Sequence, residues 1–374
     1  MTARAIDIAI IGGGIAGASV GSFLANSGVQ VHLFEMEDSL AYHTTGRSAA
    51  LLTPYYGPDS MKAFATIGRS YLESESAQAE DPLIEPRDLL TVIDANQTLT
   101  VERPPNCVWW DESTCLEKVP FLRSGKFLGG IVDKEVFSID VHALHSHYVR
   151  NITRKGGVIH LDSRIDSLNQ DPSGFWELST DGQSYKTPTV CNAAGAWGDE
   201  LARIADIAPV GLVPKRRTVA ILDSSQFPDV NFDIETFVVV EPNYVYFQNF
   251  GVGKLMLSAA DQTPSVPCDA QPDEMDLAVA IARFEETTDL KVTRIDHSWA
   301  GLRTFAPDHN PVIGWEPHRE GFFWLVGQGG YGIFSSPGIG CYAASLLSGS
   351  EPPNAYVQSP FEFSTLSPDR FRLT

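Results

Sequence analysis

Cysteine is scarce in this chain. Five occur in 374 residues, at Cys107, Cys115, Cys191, Cys268 and Cys341, with no C-x-x-C among them. An odd number at such spacing excludes a disulfide-stapled scaffold and a cysteine-built zinc site, so no metal is expected. Free thiols suit a reducing compartment. Also missing is any apolar run of the ~18 to 20 residues that a helix needs to cross a bilayer. The N-terminus has one arginine and no small-residue cleavage site, and its apolar run is already used by the first strand, so a mature cytoplasmic chain is expected. Positive charge is short: 27 Lys+Arg stand against 47 Asp+Glu, a net charge of −20. Such a surface repels phosphate backbones and anionic lipid, which argues against nucleic-acid and membrane partners. An anionic substrate would have to be drawn in by a local cluster of arginines. No internal repeat or low-complexity tract is present.

What is present begins with residues 6 to 35, IDIAIIGGGIAGASVGSFLANSGVQVHLFE. The run from Ile6 to Ile11 reads as a buried parallel strand. Gly12, Gly14 and Gly17 make a G-x-G-x-x-G turn into an apolar helix over Ile15 to Asn26, ended by Gly28. Val29 to Phe34 reads as a second strand with Glu35 at its end. Gly12 permits the tight turn, Gly14 allows a pyrophosphate to approach the backbone, and Gly17 allows close packing of helix on strand. Phosphate oxygens meet free N–H groups at the helix start, and the acid takes a ribose hydroxyl. The turn alone does not choose between NAD and FAD.

Along the rest of the chain, the loop MEDSLAYHTTGR leaves the second strand where the ligand crevice lies in such folds. Ser60 to Glu75 has helical spacing, Leu89 to Ile93 reads as a strand, and Asn96 to Cys107 as a loop. Asp140 is a good N-cap for a helix over Val141 to Arg154. Thr189 to Ala193 runs as a strand into Ala194-Gly195-Ala196-Trp197 and a helix to Ala205, a second place where backbone N–H groups face a cofactor. Between residues 211 and 300 the pattern changes to strands read as antiparallel, with one helix over Asp273 to Phe284. A strand over Gly321 to Val326, the turn Gly327-Gln-Gly-Gly-Tyr-Gly332 and a helix from about Pro337 to Leu347 then repeat the first arrangement. Two such units far apart suggest one long ligand gripped at both ends.

Taken together, IGGGIAGAS, YHTTGRSAA, DVHALHSHYVR, NAAGAW, PKRR, SWAGLRTF and GFFWLVGQGGYGI resemble the FAD-dependent D-amino-acid oxidase/glycine oxidase (DAO) family, with the nearest likeness to bacterial D-arginine dehydrogenase and D-amino-acid dehydrogenases. The resemblance implies an α/β fold: a discontinuous Rossmann-like FAD-binding domain over 1–54, 140–206 and 300–374, and an antiparallel-sheet substrate domain over 55–139 and 207–299. It places the AMP half of FAD against Gly12, Gly14, Ala16 and Gly17, with Glu35 and Met36 at the adenosine and Ile165 at the adenine. Gly195 belongs to the same cofactor set. Thr44, Thr45, Gly46, Arg47, Ser48, Ala49, Ala50 and Leu51 are implied along the pyrophosphate and flavin ring. Gly329, Gly330, Tyr331, Gly332, Ile333 and Phe334 are implied beside that ring, where a helix start stabilises negative charge. Covalent sarcosine-type relatives carry their flavin link in the stretch that is Arg303 to Trp315 here. It holds no cysteine, so non-covalent FAD is expected.

For the substrate, the resemblance gives Arg217 and Arg303 the α-carboxylate, Tyr246 a hydroxyl donated to it, Tyr56 a loop aromatic over the ligand, and the Gly330 carbonyl the α-amino group. A buried guanidinium needs a partner, and a carboxylate is its best one. Lys215 and Arg216 are read as facing solvent or partners. The implied reaction is oxidative deamination of a free amino acid to imino and then keto acid, with hydride transfer to FAD and no protein base required. Relatives preferring cationic substrates have a glutamate at Leu89 and a histidine at Leu51. Phe334 replaces a polar residue. A neutral or hydrophobic D-amino acid is therefore expected, although Asp88 could serve a cation if the strand register differs. A secondary-amine or 2-hydroxy-acid oxidoreductase, a flavoprotein without turnover, and an NAD-dependent dehydrogenase remain as alternatives. Neither residues nor resemblance chooses between quinone and O2 as electron acceptor.

Overall fold

The structure is a computed structural model and describes residues 3–95, 105–241 and 244–372. Most of the loop expected over 96–107 lies outside the described residues. The opening strand–turn–helix–strand unit forms Ile8–Ile11, Ile15–Asn26 and Val31–Phe34. Ile8–Ile11 lies in a six-stranded sheet, flanked by Val190–Asn192 and Val31–Phe34, both parallel to it. Phe322–Val326 runs parallel to Val190–Asn192, so the C-terminal unit returns to the sheet of the N-terminal one. Every residue of Ile8–Ile11, Val31–Phe34 and Phe322–Val326 is buried, as continuous apolar runs in a parallel sheet require.

The helix Gly332–Ser348 packs against Ile15–Asn26 and Asp59–Gln78. It starts five residues before Pro337, where the sequence placed its first turn, so the proline lies inside the helix. Small residues allow this close packing. A β-carbon on Gly338 would stand 2.4 Å from the Phe64 carbonyl oxygen. The helix Val141–Arg154 forms over its expected span, with the Asp140 carboxylate accepting from the Ala143 N–H at 2.8 Å.

A second sheet of eleven strands holds the 84–94, 127–139 and 213–258 regions. The strands read as antiparallel between 211 and 300 do pair antiparallel with one another, and the sheet continues through Thr236–Glu241, which runs parallel to Ile84–Asp94, a pairing outside that stretch. The alternation of residues gives the faces of a strand but not the direction of its neighbour. One face, with Leu90, Val92, Val238, Val240 and Phe247, packs on the helices Glu112–Lys118 and Glu274–Thr287. Phe237 and Val239 alternate with these and turn to the opposite face. The strand His297–Phe305 crosses residue 300, the expected domain boundary, and pairs with Val213–Asp223 in this sheet. A third sheet, of four strands, includes Gln183–Thr187, whose polar sequence hid it. Among the described residues no helix is long and apolar enough to cross a membrane.

Candidate active site

The glycines of the first turn are required mainly by the protein itself. Gly12 has φ +115°, and a β-carbon there would stand 2.4 Å from the Ala193 carbonyl oxygen; at Gly17 it would stand 2.0 Å from the Gly12 carbonyl oxygen. Gly14 lines the cleft beside it, where a β-carbon would stand 3.1 Å from the Thr45 hydroxyl oxygen. The Glu35 carboxylate accepts from the N–H groups of Gly13 at 2.8 Å and Glu37 at 3.1 Å. His145 binds the Gly13 carbonyl through Nε2 at 2.9 Å, and burial holds its pKa below the ordinary value.

Two clefts of ≈ 160 and ≈ 140 Å³ meet at Gly14, Thr44, Thr45 and Gly195. The first is lined by Glu35, Met36 and Ile165, together with Phe34, His43 and Trp197. The second runs past Ala16, Arg47, Ser48 and Ala49 to Gly329, Gly330, Gly332 and Ile333. The result is one corridor between the two glycine turns. Along it the N–H groups of Gly14 and Ala16, and of Gly332 and Ile333, donate to no described residue, as helix starts leave them.

Several expected cofactor residues have other tasks. The Thr45 hydroxyl accepts from the Ile15 N–H at 3.0 Å, and the Thr44 hydroxyl donates to the Leu302 carbonyl at 2.7 Å. Arg47 donates to the carbonyls of Ala270 and Ala300 and to Asp269. Gly46 lines a separate cleft with His142 and His145, and Tyr331 packs its ring at 5.3 Å from Tyr56. Ala50, Leu51 and Phe334 line not the corridor but a large cavity beyond it.

That cavity measures ≈ 920 Å³. Arg217, Tyr246, Arg303 and Gly330 line both it and the corridor, and therefore stand at the junction. Arg217 lies opposite Gly301, and Lys215 opposite Arg303, in an antiparallel pair, so both arginines project from one face as diagonal neighbours. Tyr246 comes from a third strand, with its ring 6.0 Å from the Arg217 guanidinium carbon. Burial, then the like charge of Arg217, lowers the pKa of Arg303; Tyr246 and a hydrogen bond with Tyr56 act the other way. Burial alone would raise the Tyr246 phenol, but Arg217, Arg303 and hydrogen bonds with Ser258 and Arg217 outweigh it and hold it low. Among the described residues no carboxylate lies within 4.0 Å of Arg303. Arg217 is held by the Asp261 carbonyl at 2.7 Å from Nε, with the Asp261 carboxylate 4.0 Å away. Sequence reasoning missed Asp261, which sits in no motif. The Gly330 carbonyl accepts no hydrogen bond from a described residue.

Arg216, read as facing solvent or partners, pairs with Asp273 and Asp276 at 3.1 Å, because the helix Glu274–Thr287 packs on its strand. The register puts Leu89 on the cavity wall opposite Phe237, while Asp88 pairs with Lys134 at 3.1 Å.

A corridor with one helix start at its middle and another near its far end, opening on a pocket with two guanidinium groups, suits a dinucleotide beside an anionic ligand. The family model described as FAD dependent oxidoreductase (DAO) matches residues 7–346, and the chain belongs to that family. Its cofactor is FAD. The unpaired N–H groups of Gly14, Ala16, Gly332 and Ile333 along the corridor fit that group. Mouse (Mus musculus) dimethylglycine dehydrogenase is 24% identical over 401 residues, covering 98% of this chain. The chain spans 44% of that relative's length. The solved glycine oxidase from Geobacillus kaustophilus has the same fold, with a TM-score of 0.81, 20% identity and 97% and 98% of the two chains covered. L-proline dehydrogenase from P. horikoshii matches with a TM-score of 0.80, 17% identity and 99% and 98% covered.

Proposed function

We propose that this chain oxidises a free amino acid to the imino acid, which water then hydrolyses to the keto acid. The observation that carries the reading is the placement of Arg217, Tyr246 and Arg303 at the junction of corridor and cavity. FAD, when bound without a covalent link, supplies the acceptor for a hydride. The residues of this chain do the positioning. Arg217 and Arg303 take the α-carboxylate, and two cations with one nearby acid leave charge for one anion. Tyr246 donates to the same carboxylate. The free Gly330 carbonyl accepts from the α-amino group, which fixes the Cα–H toward the corridor. Tyr56 covers the site from its loop.

The cofactor would be held by Gly12, Gly14, Ala16, Gly17, Glu35, Met36, Thr44, Thr45, Arg47 to Ala49, Ile165, Gly195, Gly329, Gly330, Gly332 and Ile333, with residues 1–54, 140–206 and 300–374 as its domain and 55–139 and 207–299 as the substrate domain. The cavity wall of Leu51, Leu89, Phe237, Val239 and Phe334 supports neutral or hydrophobic side chains over cationic ones, because a buried cation without a partner costs several kcal/mol. A D-substrate follows from the family resemblance, and a cytoplasmic setting from the composition.

Anaerobic mixing of the FAD-loaded protein with D- and L-amino acids tests the reading. Bleaching of the flavin absorbance by neutral D-amino acids is the expected result, and a large advantage for D-Arg or D-Lys would sink the specificity. The same clamp would serve a secondary amine, as the names of relatives acting on dimethylglycine and proline suggest. Bleaching by sarcosine or proline alone would favour that second reading.

A further inference from the structure

Arg283 lines the large cavity but not the corridor. It projects from the helix Glu274–Thr287, and its Nη1 donates to the carbonyls of Ala259 at 2.9 Å and Tyr244 at 3.2 Å. These two bonds fix the guanidinium against the end of the sheet. Among the described residues its Nε and Nη2 have no partner, and no carboxylate lies within 4.0 Å. A guanidinium carries five donors, so most of its capacity is uncommitted. It contrasts with Arg47 and Arg216, each paired with an aspartate.

We infer that Arg283 is a second recognition group, which takes a carbonyl or carboxylate oxygen at the end of the substrate side chain; this rests on the amino-acid reading above. The spacing supports it. Arg217 bonds the carbonyl of Asp261 and Arg283 that of Ala259, two residues apart. Two residues of chain reach at most about 7 Å. The two arginines therefore flank one short stretch of wall, and Val239 and Val279 also line this cavity. A side chain of a few carbons, anchored by its α-carboxylate at Arg217 and Arg303, brings a terminal oxygen to Arg283. Asp276, on the same helix, is occupied by Arg216. Glu241 also lines the cavity and is the group that opposes this assignment.

The test compares kcat/KM for glutamate, glutamine, norleucine and lysine, in both enantiomers, for the FAD-loaded native protein, Arg283→Met and Arg283→Lys. The expected result is a loss of at least ~10-fold for glutamate or glutamine in Arg283→Met, with norleucine changed less than ~2-fold and a smaller loss in Arg283→Lys. Glutamate against glutamine tells a carboxylate end from a carboxamide end. Inhibition of the native protein needs no variant: glutarate should bind at least ~10-fold tighter than pentanoate. Equal loss on all substrates, an unchanged ratio to norleucine for both glutamate and glutamine, equal inhibition by the two acids, or a preference for lysine overturns the assignment. Turnover of norleucine with any of these results leaves the amino-acid reading standing. If no amino acid bleaches the flavin, that reading fails and this one with it.

Discussion

The guanidinium carbon of Arg303 lies 2.8 Å from the point where a β-carbon on Gly330 would stand. Arginine and glycine backbone are stacked, and the glycine is needed because the arginine uses its space. Gly330→Ala should push the guanidinium off its aim. The expected outcome is a KM for the amino acid raised by at least ~10-fold with FAD still bound, because the displaced hydrogen bonds to a charged group are worth about 1.5–3 kcal/mol. Steady-state kinetics with a flavin absorbance spectrum checks it.

Arg303 and Arg217 are two like charges held close with little compensation. Arg303→Met should therefore lower kcat/KM by roughly 100-fold or more, about 3 kcal/mol, and at the same time raise the melting temperature of the substrate-free, FAD-loaded protein. A variant that loses activity and also melts lower would show that Arg303 is part of the scaffold.

Gly12→Ala meets both a backbone conformation reserved for glycine and the Ala193 carbonyl oxygen at 2.4 Å. A cost above ~2 kcal/mol is expected, read as a lower melting temperature and loss of FAD on gel filtration. Thr45→Val keeps the shape but leaves the Ile15 N–H without its acceptor. It should cost about 1 kcal/mol, seen by denaturant unfolding, with FAD retained.

His32 is buried, with Nδ1 3.0 Å from His160 Nε2. Burial, His160 and Arg4 lower its pKa to about 4. The folded value lies below the free value of 6.5, so the folded state binds fewer protons in that window. Its contribution to stability is complete above pH 6.5 and drains as pH falls toward 4, by up to about 3 kcal/mol. Urea unfolding at pH 7, 5.5 and 4.5 should show this decline, and His32→Gln should flatten it.

Local order set much of what the sequence determined. The glycine spacing, the apolar strand on either side, the acid at Glu35 and the cap at Asp140 act within one or two turns of chain, and their elements formed where the pattern put them. The second glycine turn was equally legible, although Pro337 misplaced its helix start because packing of Gly338 on Phe64 overrode the local signal. Only the tertiary structure decided how strands were ordered and what shared a face. The parallel partner of Thr236–Glu241 lies some 150 residues back, and alternation is the same for either direction. Arg217, Tyr246 and Arg303 converge from three strands. Asp261 and Arg283 join them through carbonyl contacts that no short motif records. Side-chain chemistry can be read residue by residue, but the sharing of one cavity is a property of sheet register, which long-range pairing alone sets.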